Sequence, residues 1–138
     1  MTQKCLYALI AVFFGGMMAC SGTLRGVVQN DGNRVSFNYS DSQVSSANLQ
    51  VVMPEGERFE GRVERGTERT RPNFGATAST DRFEAVEFFD GNADAVLSGD
   101  LGNIMQCRFF LTDIILGFRG GGFGLCQLSD GRVIDIFF

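Results

Sequence analysis

Ala93-Asp94-Ala95-Val96-Leu97-Ser98-Gly99-Asp100-Leu101-Gly102-Asn103-Ile104-Met105-Gln106-Cys107-Arg108-Phe109-Phe110-Leu111 decides the fold class. Ala93, Ala95 and Leu97 alternate with Asp94, Val96 and Ser98. Beyond Gly99-Asp100-Leu101-Gly102, Met105, Cys107, Phe109 and Leu111 share one face, and Gln106, Arg108 and Phe110 take the other. Period two on both sides of a glycine-punctuated connection is a β-hairpin with one buried face. A helix would place its apolar residues three and four apart instead.

The same pattern runs outward in both directions. Thr23 to Gln29 reads as a first strand, and Asn30-Asp31-Gly32-Asn33 as a turn suited to positive φ. Val35, Phe37 and Tyr39 then alternate with Ser36, Asn38 and Ser40. Ser40 to Ser46 reads as a polar connection, and Leu49 to Met53 as a strand stopped by Pro54-Glu55-Gly56. Arg58 to Val63 follows as another strand, and order returns at Arg82 to Phe89, with Asp90-Gly91-Asn92 as a turn. Asp113 to Gly124 begins like one turn of helix and ends in a glycine run. Leu125 to Leu128 and Arg132 to Phe138 are strands joined at Ser129-Asp130-Gly131. About eight or nine short strands predict an all-β fold, a small antiparallel barrel or a two-sheet sandwich. Residues 24–138 form one domain, with charged, proline-bearing Glu64 to Thr80 (about 64–80) as a long mobile loop inside it.

Composition narrows the chemistry. The chain has no His and no Trp. The missing His removes the commonest general base, the commonest metal ligand and every Ser-His or Cys-His pair. Lys4 is the single lysine, and all 16 acidic residues lie after Cys20. That acidic balance argues against nucleic acid and against polybasic contact with anionic lipid. Carboxylate pairs such as Asp130 with Asp135, or Glu84 with Glu87, could serve as acid and base, but no spacing singles one out. No catalytic residue, cofactor or metal ligand is assigned, and the balance leans away from an enzyme.

Three local motifs compete with plainer readings. Gly117 to Gly124 lacks the Lys-Ser/Thr of a phosphate loop and the third glycine of a dinucleotide fingerprint. It is either a lip carrying Phe118, Arg119 and Phe123 to a partner, or a glycine-rich turn packing its aromatics on the core. Asp90 to Asp94 imitates a calcium loop but has Ala95 where Gly belongs and Leu101 where the bidentate Glu belongs. The C-terminal Ile134-Asp135-Ile136-Phe137-Phe138 is like the last strand of an outer-membrane barrel. The runs are mostly shorter than the 9–11 residues such barrels need, so it reads as a central or closing strand of an ordinary core.

The N-terminus speaks of location. Lys4 lies in a short charged start, Leu6 to Phe14 is an apolar run, and Gly15-Gly16-Met17-Met18-Ala19 leads to Cys20. This is the layout of a secretory signal, with a core too short for the roughly 20 residues of a spanning helix. Residues 1–19 are thus expected to be a cleaved signal, and 20–23 a short anchor segment. Of the four cysteines, Cys5 leaves with the signal. Cys107 and Cys126, bound for an oxidising compartment, read as a disulfide, with buried free thiols or a zinc site as the alternatives.

Met17-Met18-Ala19-Cys20 resembles the lipobox of bacterial lipoproteins, with Met17 where Leu is usual. The resemblance implies a lipid-anchored protein whose Cys20 is acylated and whose partner is the membrane. Ser21 after the cysteine, by likeness to enteric lipoproteins, implies the outer membrane facing the periplasm. Residues 95–109 and 120–132, with Met53 to Gly61, resemble small uncharacterised envelope lipoproteins of proteobacteria. That likeness implies an envelope lipoprotein with a Cys–Cys hairpin unit and brings no activity. A fainter likeness is to lipoprotein inhibitors of lysozyme, also small disulfide-bearing barrels. The expected function is therefore non-enzymatic, binding or structural, with an envelope protein as a further partner. The alternatives are an inhibitor of cell-wall hydrolases and a carboxylate-based glycan enzyme.

Overall fold

Every strand is hydrogen-bonded to its neighbours in sequence, and the last returns to the first, closing an antiparallel barrel. The computed structural model describes residues 20–43, 46–66 and 83–138. Its strands are β1 (Ser21–Val28), β2 (Arg34–Gln43), β3 (Ser46–Val52) and β4 (Arg58–Arg65), then β5 (Ala93–Gly99), β6 (Ile104–Leu111), β7 (Gly122–Leu128) and β8 (Val133–Phe137). A short helix, α1 (Glu84–Phe88), precedes β5, and a 3-10 turn (Gly117–Gly120) precedes β7. Between barrel and sandwich, the β1–β8 pairing decides: Arg25 opposes Phe137 and Val28 opposes Ile134.

Alternation sets the two faces. Leu24 and Val28, Phe37, Leu49, Phe59, Leu97, Phe109 and Ile134 point inward and are fully or almost fully buried. Eight strands enclose a space just wide enough for side chains to fill. The outward face is mixed: Arg25, Asn38, Asn48, Gln50 and Glu60 are exposed on β1–β4, and Val96, Ile104, Phe110, Phe123 and Phe137 on β5, β6, β7 and β8. A membrane-spanning barrel instead carries a continuous apolar band around its wall, because charge facing hydrocarbon is destabilising. Among the described residues no helix is long and apolar enough to cross a membrane.

Two rims result. The far rim carries the tight turns of residues 29–33, 53–57, 100–103 and 129–132, where the sequence placed them; Gly131 takes φ +96° there. The near rim carries Cys20, the β4–β5 and β6–β7 connections and the C-terminal Phe138.

Several expectations need correction. Ser21 and Gly22, ahead of the strand expected from Thr23, pair with Ser40 and Tyr39 as part of β1. Ser40 to Gln43, expected in a polar connection, continue β2, with Asp41 opposite Ala47 and a bulge before Gln43. In both places the closed barrel supplies hydrogen-bond partners that satisfy a polar backbone without an apolar signal. Arg82–Phe89 holds α1, whose Val86 and preceding Phe83, three apart, are buried, and whose Ala85 N donates to Gln127 Oε1 at 3.1 Å. Asp90-Gly91-Asn92 leads from α1 into β5 and does not join two strands. Asn92 there pairs with the backbone of Leu111 through both its side-chain Oδ1 (2.8 Å) and Nδ2 (2.9 Å). Gly122 and Gly124, expected as part of a lip, belong to β7, where a Cβ on Gly124 would stand 2.4 Å from the Phe109 ring. The signal at 1–19 and most of the 64–80 loop, from residue 67 on, lie outside the described residues; Glu64 and Arg65 themselves end β4.

Candidate functional site

The near rim gathers most of the residues that the sequence singled out. Phe118, from the 3-10 turn, swings over the mouth and is 3% exposed. Its ring meets Tyr39, Phe109 and Phe138, each with centroids 5.1 Å away. Phe118 is therefore the stopper of the barrel and offers no surface to a partner, which corrects the expectation for this residue. Beneath it, Asp41 and Arg65 continue the inward series of β2 and β4 and form an ion pair, with side chains 17% and 3% exposed. A charge so buried is tolerable only when paired. The turn presses its backbone onto that guanidinium: Gly117 has φ +59°, and a Cβ there would lie 2.4 Å from Arg65 Nη2. Glycine meets both demands. Burial, and next the Asp41 charge, raise the Tyr39 hydroxyl above its ordinary pKa.

Of the remaining predicted residues, Arg119, Cys20 and Phe123 reach the surface, whereas Cys107 and Cys126 do not. Arg119 is exposed, and its Nη1 donates to Cys20 Sγ at 3.1 Å. Cys20 is a free thiol at the rim, and its carbonyl accepts from Asp41 N at 2.8 Å. Phe123 is 45% exposed on the outer wall, stacked on Phe110 at 5.3 Å and edge-on to Phe89 at 5.8 Å. Cys107 and Cys126 face each other across β6 and β7, inside the barrel, as a disulfide.

Sequence reasoning missed the tip beside this group. Asp113 Oδ1 accepts from the N–H groups of Ile115 (2.8 Å) and Leu116 (3.1 Å), folding the loop back on itself. Ile114, Ile115 and Leu116 are left 38%, 77% and 46% exposed. The signal was present as three consecutive apolar residues outside any alternating strand, directly after an Asp. The outer partner Phe137, opposite Phe123 in the register, was read only as part of a closing strand.

Asp130 and Asp135, one of the two candidate carboxylate pairs, have separate partners. Asp130 is held by Arg132 on the far rim, whereas Asp135 accepts from Gln29 Nε2 at 3.0 Å on the outer wall. Glu84 and Glu87 lie on α1 and not on a hairpin. Among the described residues no three His, Cys, Asp or Glu side chains come together as a metal site.

On the far rim, Arg132 bridges Glu55 and Asp130. Its hydrogen bond holds the Glu55 carboxyl below its ordinary pKa. For Asp130 burial pulls upward, but the bonds from Arg132 outweigh it and the pKa is lowered. Arg132 is raised in return, first by Glu55 and then by Asp130. Glu57, 2% exposed, accepts from Asn103 N at 3.2 Å and Nδ2 at 2.8 Å.

Compared with protein-family patterns, with characterised proteins and with solved structures, the chain matches none. Among the described residues the near rim presents the partly exposed Cys20, the exposed Arg119 and a cluster of exposed apolar side chains.

Proposed function

We propose that this chain is a bacterial cell-envelope lipoprotein, acylated at Cys20, held in the outer membrane facing the periplasm, with a non-enzymatic binding or structural role. The carrying observation is Cys20, a free cysteine partly exposed at a barrel rim and directly after the Met17-Met18-Ala19 sequence. The filled interior supports a binding or structural role, since a ligand or substrate would have to displace Phe118 to enter. Contact with the envelope falls to the exposed near rim, Arg119 and Phe123 together with Ile115.

Labelled palmitate fed to cells should enter the wild type and be absent from Cys20→Ser. Equal labelling of both removes the reading. Membrane fractionation should place the labelled protein with the outer membrane; recovery in the inner membrane would retain the anchor and discard the outer-membrane assignment. The disulfide inside a closed barrel favours one second reading, an inhibitor of cell-wall hydrolases. Under it, purified protein would slow lysozyme on cell-wall substrate, which a purely structural protein would leave unchanged.

A further inference from the structure

We propose that the near rim docks end-on into a lipid bilayer, with Ile114, Ile115 and Leu116 as the inserting tip. Phe110, Phe123 and Phe137 form an apolar collar behind it. This rests on the lipoprotein reading and adds the orientation of the barrel and the occupant of its exposed apolar face.

The first argument is slack. β1 begins at Ser21, and Cys20 is itself tied to β2 by the bond from Asp41 N. No linker separates the attachment point from the wall. Acyl chains on Cys20, or a retained apolar Leu6–Phe14 run, would alike reach the barrel at this rim and bring it to the membrane surface. The second is position. Arg119, three residues beyond the tip, touches the Cys20 thiol, so tip and attachment point share one end. The collar residues lie on adjacent strands, Phe110 opposite Phe123 and Phe123 opposite Phe137, and are 42%, 45% and 57% exposed.

The third argument is order. Asp113 holds the tip folded, so insertion does not have to fix a floppy loop. The fourth is charge. The chain is acidic overall, with a formal net charge of -4, and Arg119 is the exposed guanidinium beside the tip among the described residues, so burial of apolar area must supply most of the affinity. The far rim exposes Leu101 too, but beside Asp100, with Glu55 and Asp130 on neighbouring turns, and such carboxylates oppose insertion.

The chain has no Trp, so each substitution below gives a single reporter. The full chain carrying Ile115→Trp, and separately Leu101→Trp, is reconstituted into neutral phosphatidylcholine vesicles with and without brominated acyl chains. Both positions are strongly exposed, so both variants should fold; Leu116→Trp is the second tip reporter. We expect the tip indoles to shift to shorter wavelength, lose acrylamide quenching and gain bromine quenching. The Leu101→Trp indole should remain in water. Flotation of wild type against Cys20→Ser reads the anchor separately. A protein that floats while the tip indoles stay open to acrylamide overturns docking and leaves the anchor standing. Bromine quenching of Leu101→Trp equal to that of the tip overturns the end-on orientation. A shift without vesicles that grows with protein concentration gives the face to a second copy and overturns the lipid assignment. Failure to float overturns both.

Discussion

Phe118 and Phe123 lie five positions apart on either side of a run of three glycines, yet one is buried and the other is not. Phe118 is packed on three rings at the barrel mouth, and removing such a buried ring leaves a cavity that its neighbours fill only in part. Phe118→Ala should therefore lower unfolding free energy by about 3–5 kcal/mol, the cost usual for buried Phe. Phe123→Ala keeps the wall intact and removes a stacked pair worth about 0.5–1.5 kcal/mol beyond its area. Urea denaturation of the two variants should separate them clearly; similar losses would mean that Phe118 is not the stopper. At this scale the sequence offered Phe118, Arg119 and Phe123 as equals. Phe118 lies inside only because Gly117 can take a left-handed conformation over Arg65, an interaction between residues distant in sequence.

At the scale of elements, β6 and β7 are joined both by their ladder and by Cys107–Cys126. The two residues stand in direct register, so the bond closes a long loop in the unfolded chain without asking the folded strands to move. Replacing both cysteines with Ala should cost about 3 kcal/mol on the chain-entropy argument. The measurement is urea unfolding of the double variant against the oxidised wild type, and an unchanged midpoint would refute it. Helix α1 is the element that pattern reading did not find. Five residues are too few to show helical periodicity, and its place follows from packing Phe83 and Val86 beside β6 and β7 with Gln127 as partner.

At the scale of the molecule, the far rim is tied across its opening. Arg132 belongs to the β7–β8 turn and Glu55 to the β3–β4 turn, which lie on opposite sides of the strand circle. Glu55 and Asp130 have lowered pKa values when folded and return to ordinary ones, near 4, when unfolded. The unfolded chain then binds more protons in mild acid, so their stabilisation is complete at neutral pH and is lost as pH falls through about 4 and below. Because these carboxylates are 42% and 38% exposed, each pair is worth at most about 1 kcal/mol. Arg132→Gln should shrink the acid-induced drop in thermal midpoint while leaving the alkaline side unchanged; an identical acid limb would show that the bridge does no work. The sequence alone determined the all-β class, the inward and outward faces, all four far-rim turns and the Cys107–Cys126 pair, because alternation, glycine-bearing turns and cysteine content are local signals. Only the tertiary structure decided for a closed barrel, gave strand partners to Ser21, Gly22, Asp41 and Gln43, sent Phe118 inward and set the apolar tip beside Cys20. Each of these depends on hydrogen bonds or close packing between segments far apart in the chain, such as β1 with β8 or Arg119 with Cys20, and no local pattern encodes which distant segment will arrive.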